Sequence, residues 1–159
     1  MEHGLDSTTS TVLFLCTGNY YRSRFAEHYF NALAATAGLA WRAVSRGLRL
    51  NPNNPGPISR QAVRWLGEGG IVIAEPGRFP MAVAESDLHA ADLVVALKET
   101  EHRPLLEALF PRCADRVHYW CIHDLDCATP EEALPALASR IEELIRELAA
   151  RRSTPGHGA

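Results

Sequence analysis

The sequence predicts an α/β domain, a four-stranded parallel sheet with helices on both faces. Three observations carry that prediction. Apolar runs of strand length alternate with amphipathic segments of helical length along the chain. Two of the runs, TVLFLC at 11–16 and DLVVAL at 92–97, are apolar with hardly a break, the mark of strands covered on both sides. The 159 residues, 47% apolar and 22% charged, suffice for one core and fit one domain. Parallel neighbours require crossover connections, which are right-handed. The domain is expected to span 11–150, with disordered ends at 1–10 and 151–159 (RRSTPGHGA).

The elements follow in order. Thr11–Cys16 is the first strand. From Ser23 onward Phe25, Ala26, Tyr29, Phe30 and Leu33 recur at helical spacing, and Gly38 ends the run. Trp41–Ser45 is the second strand, and NPNNPGP at 51–57 is loop by composition. Ile58–Leu66 reads as a helix closed by GEGG, and Leu88–Ala91 as a short helical turn. Asp92–Leu97 is the third strand, Thr100–Leu109 a helix stopped at Pro111, and Val117–Ile122 the fourth strand. Pro130–Arg151 is a long last helix with Leu134, Leu137, Ile141, Leu144, Ile145 and Leu148 on one side. Its charged residues Glu142, Glu143, Arg146 and Glu147 form a solvated face.

Bulk properties exclude several classes. A net charge of −3 supplies no field for nucleic acid or an anionic membrane, so neither partner is expected. No apolar run approaches the roughly 18 residues of a spanning helix. The start, MEHGLDSTTS, lacks the basic and apolar blocks of a signal peptide. A cytoplasmic location is the resulting expectation. The cysteines Cys16, Cys113, Cys121 and Cys127 form no CxxC pair, so in a reducing compartment they are thiols used for packing or for chemistry.

Chemistry concentrates after the first strand. Ligands of parallel sheets bind beyond the carboxyl ends of the strands, and Cys16 lies at that edge. In Cys16-Thr17-Gly18-Asn19-Tyr20-Tyr21-Arg22-Ser23, both Gly18 and Asn19 tolerate positive φ, so successive N–H groups can turn inward. The result is a nest of donors for a tetrahedral anion, reinforced by a helix N-terminus. Arg22 can close it with a two-pronged grip. The same field favours a thiolate at Cys16, with Ser23 donating to the sulfur, and a sulfur beneath a bound phosphate is a nucleophile aimed at phosphorus. Cysteine with arginine six residues on is a weak pattern alone, and cysteines often only fill space. Here only Cys16 has that arginine, and only Cys16 sits between a covered strand and an amphipathic helix.

The stretch Val12–Glu27 resembles the low-molecular-weight protein tyrosine phosphatase family, which also includes thioredoxin-coupled arsenate reductases. The resemblance continues through Val44-Ser45-Arg46-Gly47, where the family has Ser-Ala-Gly, and through Gly70-Ile71, Asp92–Leu97 and the segment around Asp124. It implies a flavodoxin-like fold. It implies Cys16 as nucleophile, Arg22 as phosphate clamp, Ser23 as the supporting hydroxyl, and Thr17, Gly18, Asn19, Tyr20 and Tyr21 as the rest of the phosphate-binding loop, with Asn19 braced by Ser45. The implied reaction is hydrolysis of phosphomonoesters through a phosphocysteine intermediate, without metal or cofactor. The implied substrates are phosphotyrosine proteins, other phosphoresidues or small aryl phosphates, with inorganic phosphate as product.

The leaving oxygen needs an acid. The family places an Asp-Pro pair before the last helix, and Ile122-His123-Asp124-Leu125 matches it with leucine for proline. Asp124 is assigned, with Asp126 the alternative because the missing proline leaves the register open by two residues. Other departures concern specificity and redox chemistry. Tyr21 stands where many relatives carry a second, protective cysteine, which exposes Cys16 to overoxidation. Tyr20 falls at a position lining the substrate cavity, so its bulk narrows the pocket or stacks on an aromatic group. Arg24 replaces a proline and is expected to add positive charge at the mouth. Arsenate reduction on the same scaffold, or a phosphate-binding module of low activity, are the alternative functions. His118, Cys121, His123, Asp126 and Cys127 cluster in sequence, but their spacing is irregular and no metal is expected. His28, His89 and His102 read as helix-surface or packing residues.

Overall fold

In the computed structural model of the protein, residues 9–124 and 128–153 are described. The elements are β1 (Ser10–Cys16), α1 (Arg22–Ala37), β2 (Trp41–Gly47), α2 (Arg60–Glu68), α3 (Glu85–Ala90), β3 (Leu93–Ala96), α4 (Glu99–Leu109), a 3₁₀ turn (Ala114–Arg116), β4 (His118–Tyr119) and α5 (Pro130–Ser153). The strands form one parallel sheet in the order β2-β1-β3-β4. This is the predicted fold class.

β1 is central, and its residues alternate between two cores. Val12, Phe14 and Cys16 face one core with Phe25 and Phe30 of α1, Leu66 of α2, and Leu134, Leu137 and Ile141 of α5. Leu13 and Leu15 face the other with Leu88 of α3 and Leu106 of α4. That division explains why Val12–Cys16 is apolar at every position: from Val12 on, neither side of the strand meets water. The Phe14 ring lies 6.0 Å from Phe30 and 5.9 Å from Trp120, tying β1 to α1 and to the segment just after β4. α1 ends where expected. Gly38 takes φ 67°, and the N–H groups of Gly38 and Leu39 close on Ala35 and Ala34 at 3.2 and 2.9 Å.

Several bounds differ from the sequence reading. β2 runs two residues further, to Gly47, which pairs with Cys16 and also bridges the 81–83 segment through Gly47 N–H to Met81 O (2.8 Å) and Val83 N–H to Gly47 O (2.9 Å). α2 begins at Arg60 because the Ser59 hydroxyl accepts from Gln61 N–H as an N-cap. β4 is only two residues long, since its continuation leaves the parallel ladder and Cys121 bridges Lys98 in antiparallel sense. Ser10 already belongs to β1, and Arg151 and the two residues after it still belong to α5. No described helix is long and apolar enough to cross a membrane.

Candidate active site

β1 delivers Cys16 to the carboxyl edge of the sheet, and α1 starts at Arg22. Cys16 is 2% exposed, and its sulfur lies 2.9 Å from Ser23 Oγ. Ser23 Oγ already accepts from Asn19 Nδ2 at 2.9 Å, which leaves its own proton to donate to the sulfur. Asn19 is fully buried and takes φ 51°, in the left-handed region. Four bonds hold it there: Nδ2 donates to Ser23 and to Ser45 Oγ (3.0 Å), and Oδ1 accepts from Met81 N–H (2.9 Å) and Arg78 Nη1 (3.2 Å). Ser45 in turn donates to Glu27 Oε1 at 2.6 Å, and Arg78 reaches the same oxygen at 3.3 Å.

Arg22 is 1% exposed and occupied on its outer nitrogens. Nη2 and Nη1 fork onto Glu101 Oε2 (2.8 Å) and Oε1 (3.2 Å), and Nη1 also donates to Ile122 O at 3.0 Å. Asp124 Oδ2 stands 3.4 Å from Nη2. The Nε of Arg22 is buried and has no hydrogen-bond partner among the described residues. Burial alone would lower the pKa of Arg22, but the Glu101 hydrogen bond and neighbouring charge turn the net shift upward.

Glu101 and His102, at the start of α4, fasten this loop from the neighbouring strand. His102 is fully buried, and burial pushes its pKa below the ordinary histidine value. Its Nδ1 accepts the Lys98 N–H at 3.0 Å, so the ring proton resides on Nε2, 3.1 Å from Thr17 Oγ1. The Thr17 hydroxyl donates to Glu101 Oε2. Hydrogen bonds from His102, Arg22 and Thr17 hold the Glu101 carboxyl far below the usual carboxylate range, against the opposing effect of burial.

Above the sulfur opens a pocket of about 250 Å³. Cys16, Tyr21 and Arg22 are its buried residues, Tyr20 and Tyr21 form an aromatic side, and Arg49, Asn51 and Asn54 form a polar one. Asp124, 40% exposed, lines it as well. The Tyr20 hydroxyl donates to Pro55 O at 2.5 Å, and Ser59 N–H donates to Tyr20 O at 2.9 Å, so the 55–59 segment braces this side. Tyr21 is 4% exposed, its buried hydroxyl has no partner among the described residues, and burial together with Asp124 pushes its pKa up to about 12.

The model of the low molecular weight phosphotyrosine protein phosphatase family matches residues 11–151. The chain belongs to this family. It is 32% identical over 106 residues to a protein-arginine-phosphatase of Bacillus subtilis, covering 67% of each chain. It is 36% identical over 110 residues to an arsenate reductase of Brevibacillus brevis, covering 69% of this chain and 72% of the relative. Among solved structures it is similar to the low molecular weight protein tyrosine phosphatase from T. tengcongensis, with TM-score 0.71, 30% identity, and coverage of 90% of this chain and 99% of that one. It is also similar to the YwlE arginine phosphatase, solved as a cysteine-to-serine mutant with a phosphorylated active-site serine. That match has TM-score 0.70, 25% identity, and coverage of 91% and 97%.

Within this family frame, the structure gathers Cys16, Thr17, Tyr20, Tyr21, Arg22 and Asp124 around one pocket, with Asn19, Ser23 and Ser45 bonded behind it. Asp126 and Cys127 lie outside the described residues. Two expectations are corrected. Gly18 does not take positive φ, and a Cβ there would meet nothing closer than 3.4 Å, so Asn19 alone makes the left-handed turn. Arg24 is not at the mouth. It is fully buried, and Nη1 donates to Pro57 O (3.2 Å) and Arg78 O (2.8 Å). The residue that the loop needs to be glycine is Gly47: a Cβ there would sit 2.7 Å from Leu50 Cδ2, 2.9 Å from Thr17 O and 3.0 Å from Asn19 Cβ. Glu101, Arg78 and Arg49 escaped the sequence reading, and His102, read there as a helix-surface or packing residue, is buried and bonded to the loop. Glu101 and His102 look like ordinary first-turn helix residues, and no local spacing reveals that they reach the Cys16 loop.

Proposed function

We propose that this member of the family hydrolyses protein phosphotyrosine or a related phosphoresidue, with Cys16 as nucleophile, Arg22 as clamp and Asp124 as general acid. The observation that carries the reading is the meeting of those three groups at one pocket: a buried sulfur held by Ser23, a buried guanidinium with an unoccupied Nε, and a half-exposed carboxylate 3.4 Å from that guanidinium. The Cys16 sulfur attacks phosphorus and the ester P–O bond breaks. Arg22 stabilises the charge on the transferring oxygens, with Nε as its unoccupied donor. The Asp124 carboxyl gives its proton to the leaving oxygen. A water then attacks phosphorus, its proton passes to the Asp124 carboxylate, the S–P bond breaks, and inorganic phosphate leaves. Glu101 and Ile122 O fix the guanidinium plane so that little reorganisation accompanies the step. Tyr20 and Tyr21 offer aromatic surface for an aryl group.

Arsenate reduction is the second reading, favoured by the Brevibacillus relative. It needs a thiol to regenerate Cys16. Of the other described cysteines, Cys113 is buried in the core beneath α3 and α4, and Cys121 is exposed. This reading would therefore draw on Cys121 or on a soluble monothiol such as glutathione. Hydrolysis of p-nitrophenyl phosphate by wild type, Cys16→Ser, Asp124→Asn and Asp126→Asn tests the proposal. Cys16→Ser should abolish turnover, and Asp124→Asn should reduce it by ~10²–10⁴. A larger loss in Asp126→Asn than in Asp124→Asn would overturn the acid assignment. Thiol-dependent arsenate reduction with weak phosphatase activity would favour the second reading.

A further inference from the structure

We infer that Arg49 forms a second anion-binding position at the mouth of this pocket and selects phosphorylated peptides with an acidic side chain beside the phosphorylated residue. The inference rests on the phosphatase reading above and adds a substrate class to it. Arg49 is exposed and lines the same pocket as Cys16. Its backbone is fixed to the Cys16 loop: Arg49 N–H donates to Thr17 O at 2.8 Å, and Leu48 N–H to Cys16 O at 2.9 Å. The side chain therefore projects from a base that moves with the nucleophile.

The charges decide what it is free to bind. Arg22 is paired with Glu101, Arg78 with Glu27, and Arg46 with Asp87. Arg49 has no acidic partner among the described residues; Asn51 and Asn54 beside it in the pocket are neutral, and Asp124, which also lines the pocket, stands against Arg22 at 3.4 Å. An exposed guanidinium with open donors is a ready partner for a carboxylate. Volume decides where that carboxylate lies. A pocket of about 250 Å³ is below the ~300–1,000 Å³ of sites that swallow a whole small ligand. It takes the phosphoryl group and the side chain bearing it, so the flanking residues of a peptide lie outside, across Arg49.

The test compares two phosphotyrosine peptides that differ only in carrying Glu or Gln on both sides of the phosphotyrosine. The readout is the ratio of their kcat/KM values for wild type, Arg49→Gln and Arg49→Glu. Wild type should favour the Glu peptide by about threefold to fivefold at low ionic strength, less at high salt. Arg49→Gln should bring the ratio to about one and Arg49→Glu should invert it. An unchanged ratio in Arg49→Gln, or no preference in wild type, overturns the inference. The same ratio is read without turnover by calorimetric titration of both peptides into Cys16→Ser. Loss of the phosphatase reading, seen as no hydrolysis of p-nitrophenyl phosphate, is thus separate from loss of the Arg49 preference.

Discussion

Replacing Asn19 by alanine should cost about 3–5 kcal/mol of folding stability, a large fraction of what a domain this size has. The figure comes from two sources. A residue with a Cβ held at φ 51° carries about 1 kcal/mol of backbone strain that asparagine relieves and alanine does not. The side chain is fully buried and makes four hydrogen bonds. Truncation takes the acceptor from the Met81 N–H and from Arg78, and deprives the buried Ser23 and Ser45 of a donor, at about 1 kcal/mol or more for each buried group left unpaired. Urea unfolding followed by circular dichroism measures the total, and a thermal midpoint lower by about 6–15 °C should accompany it. Asn19→Gly separates the two sources. Glycine takes positive φ freely, so its loss should be smaller than that of alanine by about the strain alone. Turnover of p-nitrophenyl phosphate should fall at least about tenfold in both, because the Cys16 loop loses its brace. A stability loss below about 1 kcal/mol in Asn19→Ala would refute the reasoning. Equal losses for alanine and glycine would refute the strain component.

Gly47→Ala should destabilise by about 1–3 kcal/mol and lower turnover, since the new methyl meets the backbone oxygen of Thr17 at 2.9 Å and must push the loop; wild-type activity in this variant would contradict that. Tyr21→Phe removes a hydroxyl buried without a partner, so stability should stay level or rise by about 1 kcal/mol, and a loss above about 1 kcal/mol in denaturant melts would show a bond that the structure lacks. The Glu101 carboxyl is held low in the fold, so its contribution is present above the unfolded value of 4.5 and is lost as pH falls through the lower folded value. Glu101→Gln should therefore be less stable than wild type at pH 7, by about 1–2 kcal/mol for a partner 30% exposed. Its thermal midpoint should also fall less steeply below pH 4.5, and parallel acid limbs would refute this. His102 acts with the same sign at higher pH. Its folded pKa lies below 6.5, so the unfolded chain takes up the proton first and stability falls as pH drops below 6.5.

The parts of the site that were legible in the sequence are those carried by consecutive residues. Cys16, Arg22 and Ser23 follow one strand and open one helix, and a strand-to-helix turn leaves few ways to arrange them. The fold was legible for a similar reason: the unbroken apolar runs of β1 and β3 require cover on both faces, which a parallel sheet supplies. What was not legible is what arrives from elsewhere. Glu101 and His102 reach the loop only because β3 lies beside β1, with Leu15 opposite Ala96, which is a fact of register. Arg78 looks like a loop residue but braces Asn19, while Arg24 looks like a surface charge and is buried against two carbonyls. Gly18 and Gly47 show the limit of reading glycines by motif. The one inside the loop has room for a methyl, and the one on the next strand does not.

The tethers of Arg22 have a consequence for how the site comes into being. Its partners are 79 residues away at Glu101 and 100 residues away at Ile122, beyond the ends of β3 and β4. Eight consecutive residues spell the loop, yet the guanidinium is aimed only after the sheet has grown outward past β1. Contacts of such sequence separation form late. A nascent or half-unfolded chain would hold the cysteine and the arginine without the arrangement that joins them. Catalytic competence is thus a property of the completed sheet, and grafting residues 16–23 onto another strand-turn-helix would carry the letters of the motif without its grip.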